Sequence, residues 1–258
     1  MADINSILSS LNNINVKNTF SVFIPSLKRE VKFKPLTTKQ QQSFYGCIAD
    51  TVPFNTRFII ATFNAIKENC TEPDVINQLN VIDRVVILLA FRKSTLGSDL
   101  LVIKDEVQYE STFESSLVAA TTLTLPENKT ITVKNVEVEL HVPFIIDQYN
   151  IEKLLRENVN LNEIDSSTVL QQAVLSETCK IINNIKIIND DKTVDAMYSQ
   201  LSYVDRLRLI ENLPAEVMLE VQSFAKAVSN VSASLLTVPL SNGTTATIEI
   251  TVDFFLSR

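Results

Sequence analysis

Residues 81–96 read Val-Ile-Asp-Arg-Val-Val-Ile-Leu-Leu-Ala-Phe-Arg-Lys-Ser-Thr-Leu, and they constrain the fold more than any other stretch of the chain. Ile82, Val85, Val86 and Leu89 share one helical face with Lys93, while Ile87, Leu88 and Phe91 occupy the other sides. A helix that is apolar nearly all round is stable in water only when other elements surround it. The spacing therefore predicts a central, buried helix, with Gly97 as its C-terminal cap and Arg84 and Arg92 flanking the run. The apolar stretch from Val85 to Phe91 is far short of the roughly 18 residues that suggest a membrane span.

Around this helix the hydrophobic period switches repeatedly. Ile4, Ile7, Leu8, Leu11 and Ile14 have helical spacing, which fits either a short docking helix or a frayed terminus. Phe20, Val22 and Ile24 alternate, as do Val31 and Phe33, with Pro25-Ser26-Leu27-Lys28 between them, the pattern of a β-hairpin. Thr37 with Gln40, or Thr38 with Gln41, forms a capping box that starts a helix running to about Cys47, with Gly46 near its end. Pro53 suits the first turn of the next helix, whose apolar face carries Phe54, Phe58, Ile59, Phe63 and Ile66. A short helix is expected from Asp74 to about Leu79.

Residues 100–144 lose the 3.6 period. Leu101–Ile103, Leu117–Leu125, Thr130–Lys134 and Val136–Val142 read as strands, separated by turn signals at Pro126-Glu127-Asn128-Lys129 and Lys134-Asn135. Helices return at Ile151–Arg156, Thr168 to about Lys180, Val194–Leu201 and Val204–Leu213, while Ile181–Ile188 fits helix or strand. From Pro214 a clear helix carries Val217, Val221, Phe224, Val228 and Val231 on one stripe. The chain closes in a hairpin: a strand Leu235–Leu240, an Asn242-Gly243 reversal expected as a type I′ turn, and an alternating strand from Thr247 to Phe254. These elements predict an α+β protein with two helical halves around a β-rich middle section and β-hairpins near both termini. Three parts follow, 1–99, 100–144 and 145–258, either separate or merged into one compact domain.

Composition narrows the function. Three glycines in 258 residues leave no material for Gly-rich phosphate loops, and a net charge of −7 argues against a general nucleic-acid binder. The three cysteines, Cys47, Cys70 and Cys179, are odd in number and widely spaced, which fits a reducing compartment and no disulfide framework. The N-terminus lacks the basic and apolar regions of a secretory signal.

Few side chains suggest chemistry. His141 follows Glu137 and Glu139 at period-two spacing, so all three belong on one strand face; we read this as a solvated polar face, because a metal centre needs further ligands that the sequence does not nominate. A Cys–His pair is formally available, but no cysteine sits in a nucleophile context. Asp190, Asp191 and Asp195 lack the spacing of a calcium loop. No catalytic, cofactor-binding or metal-ligating residue is expected. The sharpest polar signal is a run of cations, Lys28, Arg29, Lys32, Lys34 and Lys39, in an otherwise acidic chain. Lys28, Arg29, Lys32 and Lys34 are the expected partner-binding residues, facing an acidic protein. The alternative is charge that protects an edge strand from aggregation, and nucleic acid ranks last.

The succession of motifs resembles a known family. Val31-Lys32-Phe33-Lys34-Pro35-Leu36-Thr37-Thr38-Lys39-Gln40 joins the hairpin to a polar helix, and Leu89-Ala90-Phe91-Arg92-Lys93-Ser94-Thr95-Leu96-Gly97 ends an apolar one. Leu140-His141-Val142-Pro143 precedes the second helical half, and Leu213-Pro214 and Asp253-Phe254-Phe255 mark the last helix and the tail. In this order they resemble the baseplate hub proteins of T-even-like contractile-tailed bacteriophages. The resemblance implies a non-enzymatic structural or assembly protein of the phage tail, present in several copies in a symmetric baseplate and assembled in the host cytoplasm. Its partners would be other tail and baseplate proteins, without a cofactor, nucleic acid or membrane span. An assembly chaperone absent from the virion is the alternative, and an enzyme with an unrecognised site ranks below it. Some members of that family carry a cysteine pair near the C-terminus; this chain has no cysteine after Cys179.

Overall fold

The computed structural model describes residues 18–47, 54–158, 177–189, 192–196, 198–251 and 253–255. The expected N-terminal helix at 4–14, most of the one expected over 168–180, and Asp190 and Asp191 lie outside these residues. The chain forms two units: residues 1–124 with 232–258, and residues 125–231.

In the first unit, β1 (Phe20–Ile24) pairs antiparallel with β2 (Arg29–Phe33), Val22 opposite Val31. Alternation buries Val22, Ile24, Val31 and Phe33. Thr37 caps α1 (Thr38–Gly46) with the reciprocal Thr37–Gln40 bonds expected from the sequence. Then follow α2 (Phe54–Asn69) and a 3₁₀ turn at Pro73–Gln78, where a regular helix was expected. Pro73 starts this turn, and its buried residues are the adjacent Val75 and Ile76, too few to hold an amphipathic helix. The central helix α3 (Val81–Leu96) matches the sequence reading: Ile82, Asp83 and the whole run Val85–Arg92 are buried. Phe91 sets its ring edge-on against Phe20 (5.9 Å between centroids) and Phe33 (5.8 Å), which seats the hairpin on the helix.

β3 (Asp99–Lys104) and β4 (Val107–Thr112) form a second hairpin joined by Asp105-Glu106. Residues 117–125 are not the expected strand. Phe113, Ser116 and Ala120 are buried at spacings of three and four, so the chain forms the short helix α4 (Glu114–Ala119) and a 3₁₀ turn at Ala120–Thr122.

The second unit holds a four-stranded antiparallel sheet of β5 (Lys129–Val133), β6 (Val136–Leu140), β7 (Ile182–Asn189) and β8 (Lys192–Ala196), in that spatial order. The strands of residues 100–144 thus belong to two separate sheets. The ambiguous stretch 181–188 is mostly strand. Residues 194–201, expected as helix, are instead the end of β8 and a 3₁₀ turn at Tyr198–Gln200, because pairing with β7 overrides local propensity. Helices α5 (Ile145–Asn158), α6 (Tyr203–Glu211) and α7 (Ala215–Leu235) follow the sequence reading, and residues 177–181, the described end of the helix expected over 168–180, are helical as well. Val217, Val221, Phe224 and Val228 of the α7 stripe are buried.

The last residues return to the first unit. β9 (Thr237–Pro239) pairs with β10 (Thr245–Thr247), and β9 lies beside β4, where Ser111 Oγ donates to the Pro239 carbonyl at 2.6 Å. The reversal is not type I′: the Gly243 N–H closes a turn on the Leu240 carbonyl, and Gly243 alone takes a positive φ, 81°. This is the three-residue loop with a left-handed glycine. The strand expected to reach Phe254 stops at Thr247. The Ile248 N–H bonds the Leu236 carbonyl, and a 3₁₀ turn at Asp253–Phe255 carries Phe254 and Phe255 into the core.

Candidate functional site

The four expected partner-binding cations lie on or just beyond the first hairpin, in different local settings. Lys28 turns the first hairpin with a positive φ of 52° and is exposed. Arg29 is paired: its guanidinium donates to Glu72 Oε2 at 2.8 Å. That bond holds the Glu72 carboxyl below its ordinary value and raises Arg29. Lys32 points outward beside Ser21. Lys34 lies beyond the end of β2, where its backbone N–H donates to the Asn69 carbonyl at 2.9 Å.

Lys34 opens onto a groove of about 570 Å³ between the end of β2, α1 and α2, and Lys39 of α1 lines the same groove. Its wall is fixed by Gln40. Gln40 Oε1 accepts the Thr37 N–H and Asn69 Nδ2, both at 2.9 Å, and Nε2 donates to Glu68 at 2.8 Å. Every polar atom of that amide is therefore used in holding α1 to α2. Among the described residues neither Lys34 nor Lys39 has a carboxylate within ion-pair distance, and Ser43 Oγ and the Asn64 amide have no hydrogen-bond partner.

A second surface is apolar. Leu101 and Ile103 of β3 are 53% and 76% exposed, and Val107 of β4 is 49% exposed. Leu101 and Ile103 lie on one face of the hairpin with their partners Glu110 and Gln108.

His141 is not on the solvated face expected for it. Glu137 and Glu139 are, and both accept from Lys186 Nζ at 3.1 Å. The β6–β7 register shifts between Glu139 and Leu140, and His141 lies just past the strand, buried, with the Phe144 ring 5.3 Å away. Burial lowers its pKa, against opposing pulls from Asp147 and the Lys180 backbone. Burial raises the Asp147 carboxyl, while His141 and Arg206 pull it down. Nearby in the chain fold, Tyr198 donates its hydroxyl to Cys179 Sγ at 3.2 Å and lies under the Arg206 guanidinium. Burial pushes the thiols of Cys47, Cys70 and Cys179 up, the opposite of what a nucleophilic cysteine needs. Lys180 is buried and neutralised by Glu152 and Glu177, each at 2.8 Å. Among the described residues no three His, Cys, Asp or Glu side chains converge into a metal cage.

Against known proteins, the family model described as T4 bacteriophage base plate protein matches residues 16–256. The chain belongs to this family. No curated protein and no solved structure matches it. The match extends over both units, so the groove, the apolar hairpin and the buried polar centre are all parts of a base plate protein, with a structural role in the phage tail baseplate among other baseplate proteins. Among the described residues of this base plate protein no helix is long and apolar enough to cross a membrane.

Sequence reasoning found Lys34 and Lys39 as members of a charge run, but not the groove that unites them. The capping box at Thr37 was the available signal, since it places Lys39 in the first turn of a helix two residues after its cap. The exposure of Leu101 and Ile103 had a signal too: Leu-Leu-Val-Ile puts apolar side chains on both faces of a strand, and a two-stranded hairpin covers at most one. Ser43 and Asn64 carry no local signal, because only the packing of α1 on α2 brings them together.

Proposed function

We propose that this base plate protein is a subunit of the baseplate hub that acts by shape-complementary docking rather than catalysis. It is present in several copies in a symmetric assembly, and folds in the host cytoplasm before joining the virion. The hub assignment is supported by the order of motifs from Val31 to Phe255 along the chain. The docking role is carried by the β3–β4 hairpin, which holds Leu101 and Ile103 of one face in water. Burial of apolar surface contributes about 25 cal/mol per Å², and interfaces concentrate that gain in an apolar centre with a polar rim. Here Glu110 and Gln108, on the same face, would supply the rim. The partners are other tail and baseplate proteins, not nucleic acid.

Quantitative mass spectrometry of purified particles tests this. A subunit is expected in fixed ratio to the other tail proteins. A chain that is abundant in infected cells but missing from particles would overturn the reading in favour of an assembly chaperone.

A further inference from the structure

The groove between α1 and α2 carries an inference that rests on the docking role just described and names the chemistry of what docks there. We infer that it receives an acidic segment of a neighbouring baseplate protein, whose carboxylates bind Lys34 and Lys39.

Charge complementarity supports this. The chain has a net charge of −7, yet this concavity presents two lysines without carboxylate partners. Its one carboxylate, Glu68, is already held by Gln40 Nε2 at 2.8 Å. Lys39 also sits at the N-terminus of a nine-residue helix with no acidic residue in its first turn. The partial positive charge of a helix N-terminus favours anions and disfavours a cation placed there. An incoming carboxylate relieves that unfavourable placement and meets the backbone dipole at the same time. Ser43 Oγ and the Asn64 amide add neutral hydrogen-bonding groups that nothing else in the described residues uses.

The wall is pre-organised, because Gln40 and Asn69 lock α1 to α2 through bonds of 2.8–2.9 Å. A rigid site loses less ordering entropy on binding. The lining favours a carboxylate over a nucleic-acid phosphate. It has no aromatic ring on which a base could stack and no arginine, its apolar members being Pro35, Ala61 and Ala65.

Two experiments on the full chain test it. In the first, hexaglutamate is titrated into the protein and followed by NMR, with hexalysine as the control. Hexaglutamate should shift signals of residues 34–43 and 61–69, and Lys34→Glu/Lys39→Glu should weaken binding at least tenfold with a melting temperature no lower than that of the unaltered protein. Raised salt should weaken it as well. No binding, or binding indifferent to the double reversal, overturns the inference. In the second, a photo-crosslinking amino acid replaces Ser43 in phage particles. Crosslinks to an Asp/Glu-rich segment of another baseplate protein, lost in the double reversal, support it. Crosslinks to nucleic acid or to a segment without acidic residues overturn it. If the chain is absent from particles, the hub-subunit reading fails, and the hexaglutamate titration still decides the groove by itself.

Discussion

The carboxylate of Asp83 receives both the backbone N–H of Ser26, at 3.0 Å, and the Ser26 hydroxyl, at 2.5 Å. Ser26 lies in the turn of the β1–β2 hairpin, and Asp83 lies in the first turn of α3 and is fully buried. The same carboxylate accepts the Asn80 N–H at 2.8 Å, and Asn80 Oδ1 returns bonds from the N–H groups of Ile82 and Asp83. One side chain thus completes a helix cap and fastens the hairpin to the central helix. Burial raises its pKa while these bonds pull it down.

Asp83 should therefore be among the most sensitive polar positions. Asp83→Ala removes the reciprocal half of the capping box and leaves the donors of Ser26 and Asn80 unpaired, a loss of roughly 2–4 kcal/mol. Ser26→Ala removes one hydroxyl bond and should lose only about 1 kcal/mol. Urea denaturation of the two variants checks the order; equal losses would show that the turn is not anchored through this carboxylate.

The tail offers a second test. Phe255 packs its ring 4.9 Å from Phe44 and 6.3 Å from Phe58, and Phe254 lies 5.8 Å from Phe113 with the Arg92 guanidinium 5.2 Å away. Arg92 is itself buried and donates to the carbonyls of Gly97 and Asp99. Phe255→Ala should destabilise the isolated protein by about 3–5 kcal/mol, and deletion of 254–258 by more. Thermal melts that do not change would assign these aromatic side chains to an interface with another protein instead.

How much of this was legible in the sequence depends on where the physical cause lies. The α3 helix was, because a stretch apolar on every side has one stable solution. So were the Thr37 capping box and the first hairpin, whose signals sit within a few residues. The tail was legible only in part. The alternation of Ile248, Ile250, Val252 and Phe254 suggested a strand, but a strand needs a partner ladder. Beyond Thr247 the Ile248 N–H bonds Leu236, and Phe254 and Phe255 turn into the core. The burial of His141 was hidden for a similar reason, since what covers it arrives with Phe144 and the start of α5. The groove depends on contacts between residues about 25–35 positions apart, which no local pattern encodes.

Turn chemistry supplies a third prediction. With so few glycines, the two-residue loop between β3 and β4 is made by Asp105 and Glu106, at φ 52° and 64°. Left-handed backbone costs an L-residue roughly 1–2 kcal/mol, partly offset by the entropy that glycine would lose on folding. Glu106→Gly creates the Asp-Gly pair favoured in such loops and should stabilise the protein by about 0.5–1 kcal/mol. A higher melting temperature is expected; a lower one would mean that the Glu106 side chain makes a stabilising contribution that outweighs its backbone strain.

His141 gives the pH dependence. Its folded pKa lies below the ordinary 6.5, chiefly because burial penalises the imidazolium. As pH falls below 6.5, the unfolded chain takes up a proton that the folded protein resists, so stability is lost on acidification through the window between 6.5 and the lower folded value. The slope from one group is at most about 1.4 kcal/mol per pH unit. Asp147 acts in the opposite sense at lower pH: its raised pKa means that the folded form binds a proton before the unfolded chain does, so acidification through its own window adds stability. His141→Gln removes the first effect and, by taking away one of the pulls that lower the Asp147 carboxyl, leaves the second at least as large. Its stability should therefore fall less than that of the unaltered protein between neutral pH and pH 5, with the gap appearing below pH 6.5. Melting temperatures of both proteins across that range check the prediction. Parallel curves would mean that the imidazole is as easily protonated in the folded protein as in the unfolded chain, and that the polar centre around Asp147 and Arg206 accommodates its charge.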